Sequence, residues 1–196
     1  MRILVNPFEE AEQLVLENGQ WVVGVLETRI SWPKNKQTIH YTGKDFILLP
    51  VEHHTGSPIP SLPAIAIRAD YYGLTPVEAR KYIMQFASAL SWREGAKIEI
   101  VQWSGGNLPR SMGIMRNNVI TEYLEEEHLP IPQENLAETA LAFYREGVSL
   151  DNPFYSFLSF YKAFSVAIEN KKQRGTWMTE MRDMLDNSSA KERVKN

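Results

Sequence analysis

An α+β fold is predicted, with an antiparallel β-sheet and one packed helix in the N-terminal half and a helical C-terminal half. Three features of the 196-residue sequence lead there. Short runs of β-branched and aromatic residues, separated by turn formers, fill residues 20 to 106. One capped amphipathic helix interrupts them, beginning at Thr75-Pro76-Val77-Glu78. Beyond residue 132 the apolar spacing becomes helical, with breaks at Gly147 and at Asn152-Pro153.

Taken in order, QWVVGVLETRI at 20–30 reads as a strand that ends at the turn-forming Pro33-Lys34-Asn35-Lys36. Strands at 38–41 and 46–49 flank Thr42-Gly43-Lys44-Asp45, where Gly43 supplies a positive φ, and a meander follows. The three prolines and Gly56 between 52 and 63 predict a surface loop, and strand character resumes at 64–68. In the helix, Thr75 is the N-cap, Pro76 stands at N1 and Glu78 completes a capping box. Ala79, Ile83, Phe86 and Leu90 line its sheet-facing side, and Gly95 closes it. A further strand, 98–103, runs into Ser104-Gly105-Gly106.

The organisation expected is an α+β sub-domain over 1–106, a linker over 107–132 with a short helix at 118–127, a helical sub-domain over 133–187 and a flexible tail over 188–196. Helices are predicted at 133–147, 153–173 and 177–186. Ala137, Ala140, Leu141 and Tyr144 stripe the first. The second is apolar almost all round, from Phe154 to Ile168, and is therefore expected to be the buried central helix of the back half.

Composition narrows function. At 43% hydrophobic and 23% charged the chain can bury a core, and its net charge of −3 supplies no field for polyanions, so nucleic-acid binding lacks support from charge. With no cysteine there are no disulfides, thiolate nucleophiles or sulfur-ligated zinc. No 18-residue apolar run and no export signal are visible, so no membrane span and a cytoplasmic location are expected.

Individual motifs carry little chemistry. His53-His54 is an adjacent pair without further ligands and reads as a solvated loop. Trp103-Ser104-Gly105-Gly106 lacks the helix that a phosphate cradle needs. Glu125-Glu126-Glu127 reads as a solvated face, and Lys171-Lys172-Gln173-Arg174 as cations in a last helical turn. No catalytic residue, metal site or cofactor is assigned. The partner-contact candidates are Trp103, Arg145, Tyr155 and Tyr161, with Arg145 expected to pair with Asp151 in the turn or with a partner's carboxylate.

The block AFYREGVSLDNPFYSFLSFYK at 142–162 resembles a stretch of bacterial proteins described as methylamine utilisation protein MauJ. Ala89-Leu90-Ser91-Trp92 and Trp103-Ser104-Gly105-Gly106 are similar to the same group, so the likeness spans about 60 to 175. The group's helical half resembles the HEPN class, whose helical hairpins dimerise and in many members cut RNA with an arginine and a histidine four to six residues on. Here the histidines stand at 40, 53, 54 and 128, and none follows an arginine at that spacing. The resemblance thus implies a HEPN-like C-terminal half without the ribonuclease motif. The expectation is a non-catalytic accessory or protein-binding module, forming a homodimer or binding a protein partner through its C-terminal helices. The alternative is a fragment or degenerate form of a HEPN-type ribonuclease whose catalytic helix lies beyond Asn196.

Overall fold

The computed structural model describes residues 21–51, 61–106, 120–124, 128–168 and 170–183. His53, His54, Glu125 to Glu127 and the tail over 188–196 lie outside the described residues. Among the described residues seven strands and four α-helices follow one another, with a short 3-10 turn at Asp70–Tyr72: β1 (Trp21–Thr28), β2 (Trp32–Pro33), β3 (Gln37–Tyr41), β4 (Lys44–Leu49), β5 (Ala64–Arg68), α1 (Pro76–Glu94), β6 (Ile98–Gly106), β7 (Ile120–Thr121), α2 (Asn135–Ser149), α3 (Pro153–Ala167) and α4 (Lys171–Asp183). The α+β class read from the sequence is the one observed.

Five strands form one antiparallel sheet in the order β3-β4-β5-β1-β6. Its outer hairpin is closed by Thr42 and Gly43, both at positive φ (48° and 76°), the two-residue geometry whose twist matches antiparallel strands. β1 and β6 pair along their length with a bulge between Val25 and Leu26. The pairing carries β6 through Ser104-Gly105-Gly106, so these residues extend a strand.

α1 lies across one face of the sheet. Thr75 and Glu78 form the capping box, with Glu78 accepting from the Thr75 backbone N–H at 2.8 Å, and Gly95 closes the helix at φ 59°. Ala79, Ile83, Phe86 and Leu90 are buried against Leu26, Ile39, Phe46, Ile65 and Ile98. Phe86 stacks on Phe46 with ring centroids 4.6 Å apart. The helix comes so close that a Cβ on Gly24 would stand 3.1 Å from Ile83 Cγ2 and 3.3 Å from the Trp103 ring. Val23, Leu49, Ala64 and Ala66 form a second buried cluster on the other face.

The segment leading to the helical half is fastened to the sheet. Gln37 donates to the Leu124 carbonyl at 2.6 Å and accepts from the Leu124 N–H at 2.8 Å, and the Tyr41 hydroxyl donates to the Pro130 carbonyl at 2.9 Å. Burial, with the Glu138 carboxylate adding to it, pushes the Tyr41 hydroxyl pKa up to about 12. The short helix expected at 118–127 is not what the described residues form. Ile120–Thr121 is a strand paired in parallel with β2, and the Lys34 N–H donates to the Thr121 carbonyl. Extended pairing with β2 and the pinning of Leu124 by Gln37 outweigh helix propensity there.

Two further expectations are corrected in the helical half. The helix predicted over 153–173 stops at Ala167, because Asn170 accepts from the Lys172 and Gln173 N–H groups and starts α4 instead. Arg174 then donates to the Ser165 and Ile168 carbonyls at 3.2 and 2.8 Å, satisfying the end of α3. Lys171 and Lys172 therefore stand in a first turn, not a last one. Nor is α3 the buried centre of this half: Ser159 is its one fully buried residue.

Candidate functional site

α3 is built to pack on two sides and is covered on one. Asn152 caps it, accepting from the Phe154 and Tyr155 N–H groups, and Pro153 at the first helical position presets φ. Its inner side meets α2 at Gly147, where a Cβ would lie 2.6 Å from the Phe160 ring, so only glycine allows this approach. Phe160 also packs on Tyr144 with centroids 5.6 Å apart. The hairpin is held by this contact.

The outer side carries Phe154, Phe157, Leu158 and Tyr161, spaced i, i+3, i+4 and i+7, which is the pattern of a helix face made for burial. They face solvent. Exposure is 65% for Phe154, 57% for Tyr155, 63% for Phe157 and 53% for Tyr161, with Leu158 and Phe160 above a third. Taking about 200 Å² for an aromatic side chain, these six residues expose roughly 600 Å² of apolar surface. That reaches the upper end for the largest patch on an ordinary monomer, roughly 300–600 Å². Lys162 is the single charged residue of α3, and its ammonium lies 5.4 Å from the Phe143 ring centre, so charge hardly interrupts the patch.

Next to the patch opens an apolar cleft of about 790 Å³. Trp92, Ile131, Leu141, Tyr144, Phe164 and Trp177 are among its walls. Trp92 meets Tyr144 edge-on at 4.7 Å, and Phe164 leans on Trp177 at 4.9 Å. The cleft is thus bounded by rings from α1, α2, α3 and α4. Phe160 and Phe164 belong to both α3 and the cleft wall, which makes the two apolar features continuous.

A second cleft of about 450 Å³, with Arg80, Lys81, Glu138 and Arg145 in its lining, separates α1 from α2 on another face. Arg145 lines it, half-buried, and its Nε donates to Ser88 Oγ at 3.1 Å while Ser88 donates to the Met84 carbonyl. Arg145 therefore reaches across to α1 instead of pairing with Asp151. Its position on α2 aims it sideways and not along the chain. Burial lowers the guanidinium pKa from its usual value, although Glu146 and Glu99 act in the opposite direction. Arg80 lines the same cleft and lies over the Trp103 ring, 5.3 Å from its centre.

The four partner-contact candidates thus fall into two groups. Tyr155 and Tyr161 stand on the α3 patch, Tyr155 against Phe154 and Tyr161 stacked on Phe157. Arg145 lines the cleft between α1 and α2, and Trp103 lies under Arg80, which lines the same cleft. Sequence reasoning assigned Phe154, Phe157 and Leu158 to the core and overlooked Arg80 and Lys81. The available signal was the second apolar stripe on a helix that already had one. The remaining histidines within reach are separate: His40 pairs with Asp45 at 2.9 Å on the sheet edge, and His128 sits in a turn at φ 64°. Among the described residues no three His, Asp or Glu side chains group to hold a metal, and no helix is long and apolar enough to cross a membrane.

Compared with known proteins, residues 140–196 match the family described as methylamine utilization protein MauJ. This stretch of the chain is similar to that family, and it contains Arg145, Gly147 and the whole of α3 and α4. No curated protein and no solved structure matches the chain.

Proposed function

We propose that the protein is a non-catalytic, protein-binding accessory module that pairs with a second copy of itself through the outer face of α3. The observation that carries this reading is the exposed stripe of Phe154, Phe157, Leu158 and Tyr161 on a helix whose other side is packed. Two such patches brought together bury about 1,200 Å², the lower end of the range for specific protein interfaces. A two-fold axis through the stripe places each residue against its equivalent or a near neighbour, so one surface serves both copies. In this reading the α2–α3 hairpin acts as HEPN-like hairpins do, by pairing. The similarity of 140–196 to MauJ supports a role for this half of the chain and carries no amine chemistry with it.

The absence of cysteine from the sequence makes the test direct. Leu158→Cys introduces a single thiol at the centre of the stripe, and oxidation is expected to convert the chain to a disulfide-linked dimer. Val77→Cys, on α1 and more solvent-accessible than Leu158 (66% against 36%), is expected to remain monomeric under the same treatment. Equal yields from the two variants would remove the support for pairing through α3.

The second reading, a degenerate HEPN-type ribonuclease, draws its support from the open cleft beside the α2–α3 hairpin, whose aromatic walls could seat a further helix. Purified protein is expected to leave RNA intact with or without divalent metal, since a general acid/base histidine near an arginine is missing from the sequence. Cleavage that a point substitution in this chain abolishes would favour the ribonuclease.

A further inference from the structure

We infer that the cleft between α1 and α2 is a binding site for a small phosphomonoester, held by Arg145 with Arg80 and Lys81. Three cations, Arg80, Lys81 and Arg145, line this cleft against one carboxylate, Glu138. Cations outnumber carboxylates in this lining, the sign that suits a phosphomonoester, which carries about −1.5 to −2 charge near neutral pH. The protein as a whole is net negative, so this excess of cations is local.

Arg145 is the centre of the site. Of its five N–H donors one is engaged, by Ser88, and among the described residues no carboxylate pairs with it. Glu146 and Glu99 act on it through space without a hydrogen bond. Glu138, which shares the cleft lining, makes no ion pair with Arg145 and also acts on the Tyr41 hydroxyl. None of the Arg145 nitrogens is both sealed from solvent and unpartnered, so the remaining donors can meet an incoming anion, and the planar fork fits a phosphate by two parallel hydrogen bonds. Arg80 is steadied over Trp103, which gives that tryptophan a positioning role.

The shape of the cleft points to an ester and not to free phosphate. Its volume of about 450 Å³ exceeds what a lone phosphate fills and lies within the range of small-ligand sites, about 300–1,000 Å³. Val77, Met84 and Ala142 supply apolar surface beside the cations. The phosphate belongs on Arg145, and the organic part against that surface.

Titration calorimetry of the full chain with inorganic phosphate and with phenyl phosphate, at fixed ionic strength and with chloride as control, tests this. Both phosphates are expected to bind above the chloride background, phenyl phosphate at least about threefold more tightly because its ring is partly buried. Arg145→Ala is expected to weaken phenyl phosphate binding at least about tenfold, the scale of lost charge-assisted hydrogen bonds, and Arg145→Lys by less. Lys81→Ala, at an exposed position that folding does not depend on, is expected to weaken it about two- to fivefold. No phosphate binding beyond chloride, or binding unchanged in a folded Arg145→Ala or in Lys81→Ala, would overturn the site. Inorganic phosphate binding as tightly as the ester would overturn the choice of ligand.

Discussion

Truncating Phe86 and truncating Phe157 remove the same side chain from two positions that the fold treats very differently. Phe86 is fully buried, stacked on Phe46 at 4.6 Å and tilted against Tyr41 at 5.4 Å, so Phe86→Ala leaves a cavity in the middle of the core. The expected loss is about 3–5 kcal/mol. Phe157 is 63% exposed in a single chain, so about a third of its side chain is removed from water. With about 1.5–3 kcal/mol for a fully buried large apolar side chain, Phe157→Ala should cost the monomer only about 0.5–1 kcal/mol. Urea denaturation at high dilution measures both. Raising the protein concentration should widen the gap between wild type and Phe157→Ala, because pairing stabilises the folded state by mass action and the variant loses that contribution, while the cost of Phe86→Ala keeps its size. If Phe157→Ala is as damaging as Phe86→Ala at high dilution, α3 is buried within one chain and the outer-face reasoning fails.

Two other positions give sharp outcomes. Gly147→Ala sets alanine's helix preference over glycine, about 0.8–1 kcal/mol, against displacement of a Phe160 ring only 2.6 Å from the new Cβ, an overpacking cost of about 1–3 kcal/mol. A net loss of about 1 kcal/mol is expected, and the sign should reverse when Phe160→Ala removes the ring, as a double-mutant cycle would show. The Glu78 carboxyl is held below its ordinary pKa mainly by the Thr75 backbone N–H and then by the Thr75 hydroxyl. Its capping contribution is therefore present above the unfolded carboxylate pKa and is lost as pH falls through the lower folded value. The stability difference between wild type and Glu78→Gln should be level at neutral pH and shrink through that acidic window. A difference that ignores pH would refute the assignment.

What was legible in the sequence was what short-range chemistry decides. Thr75-Pro76-Val77-Glu78 names its own cap, and Thr42-Gly43 names its own hairpin, because each is settled by hydrogen bonds or dihedral angles within four residues. The stripe of Ala79, Ile83, Phe86 and Leu90 was equally plain, since a single apolar face has one place to go. α3 was different. A helix with apolar residues all round satisfies a deeply buried position and a half-covered interface equally well, and only the positions of its neighbours tell them apart. The break at Ile168 was hidden for a related reason: Asn170 continued a polar register while its side chain was free to cap a new helix. Arg145 was referred to Asp151, a near neighbour in sequence, when its partner Ser88 lies 57 residues away. The basic cleft was invisible because its cations come from two helices that meet only in the fold.

The central claim is that the outer face of α3 is an interface between two copies. Sedimentation equilibrium of the wild-type chain across the micromolar range, beside Phe154→Ser/Phe157→Ser, tests it most directly. The wild type should pass from the 22.5 kDa chain mass to twice that value as concentration rises, and the double variant should stay at the chain mass while remaining folded. A wild type that sediments as a clean monomer throughout the range would contradict the claim.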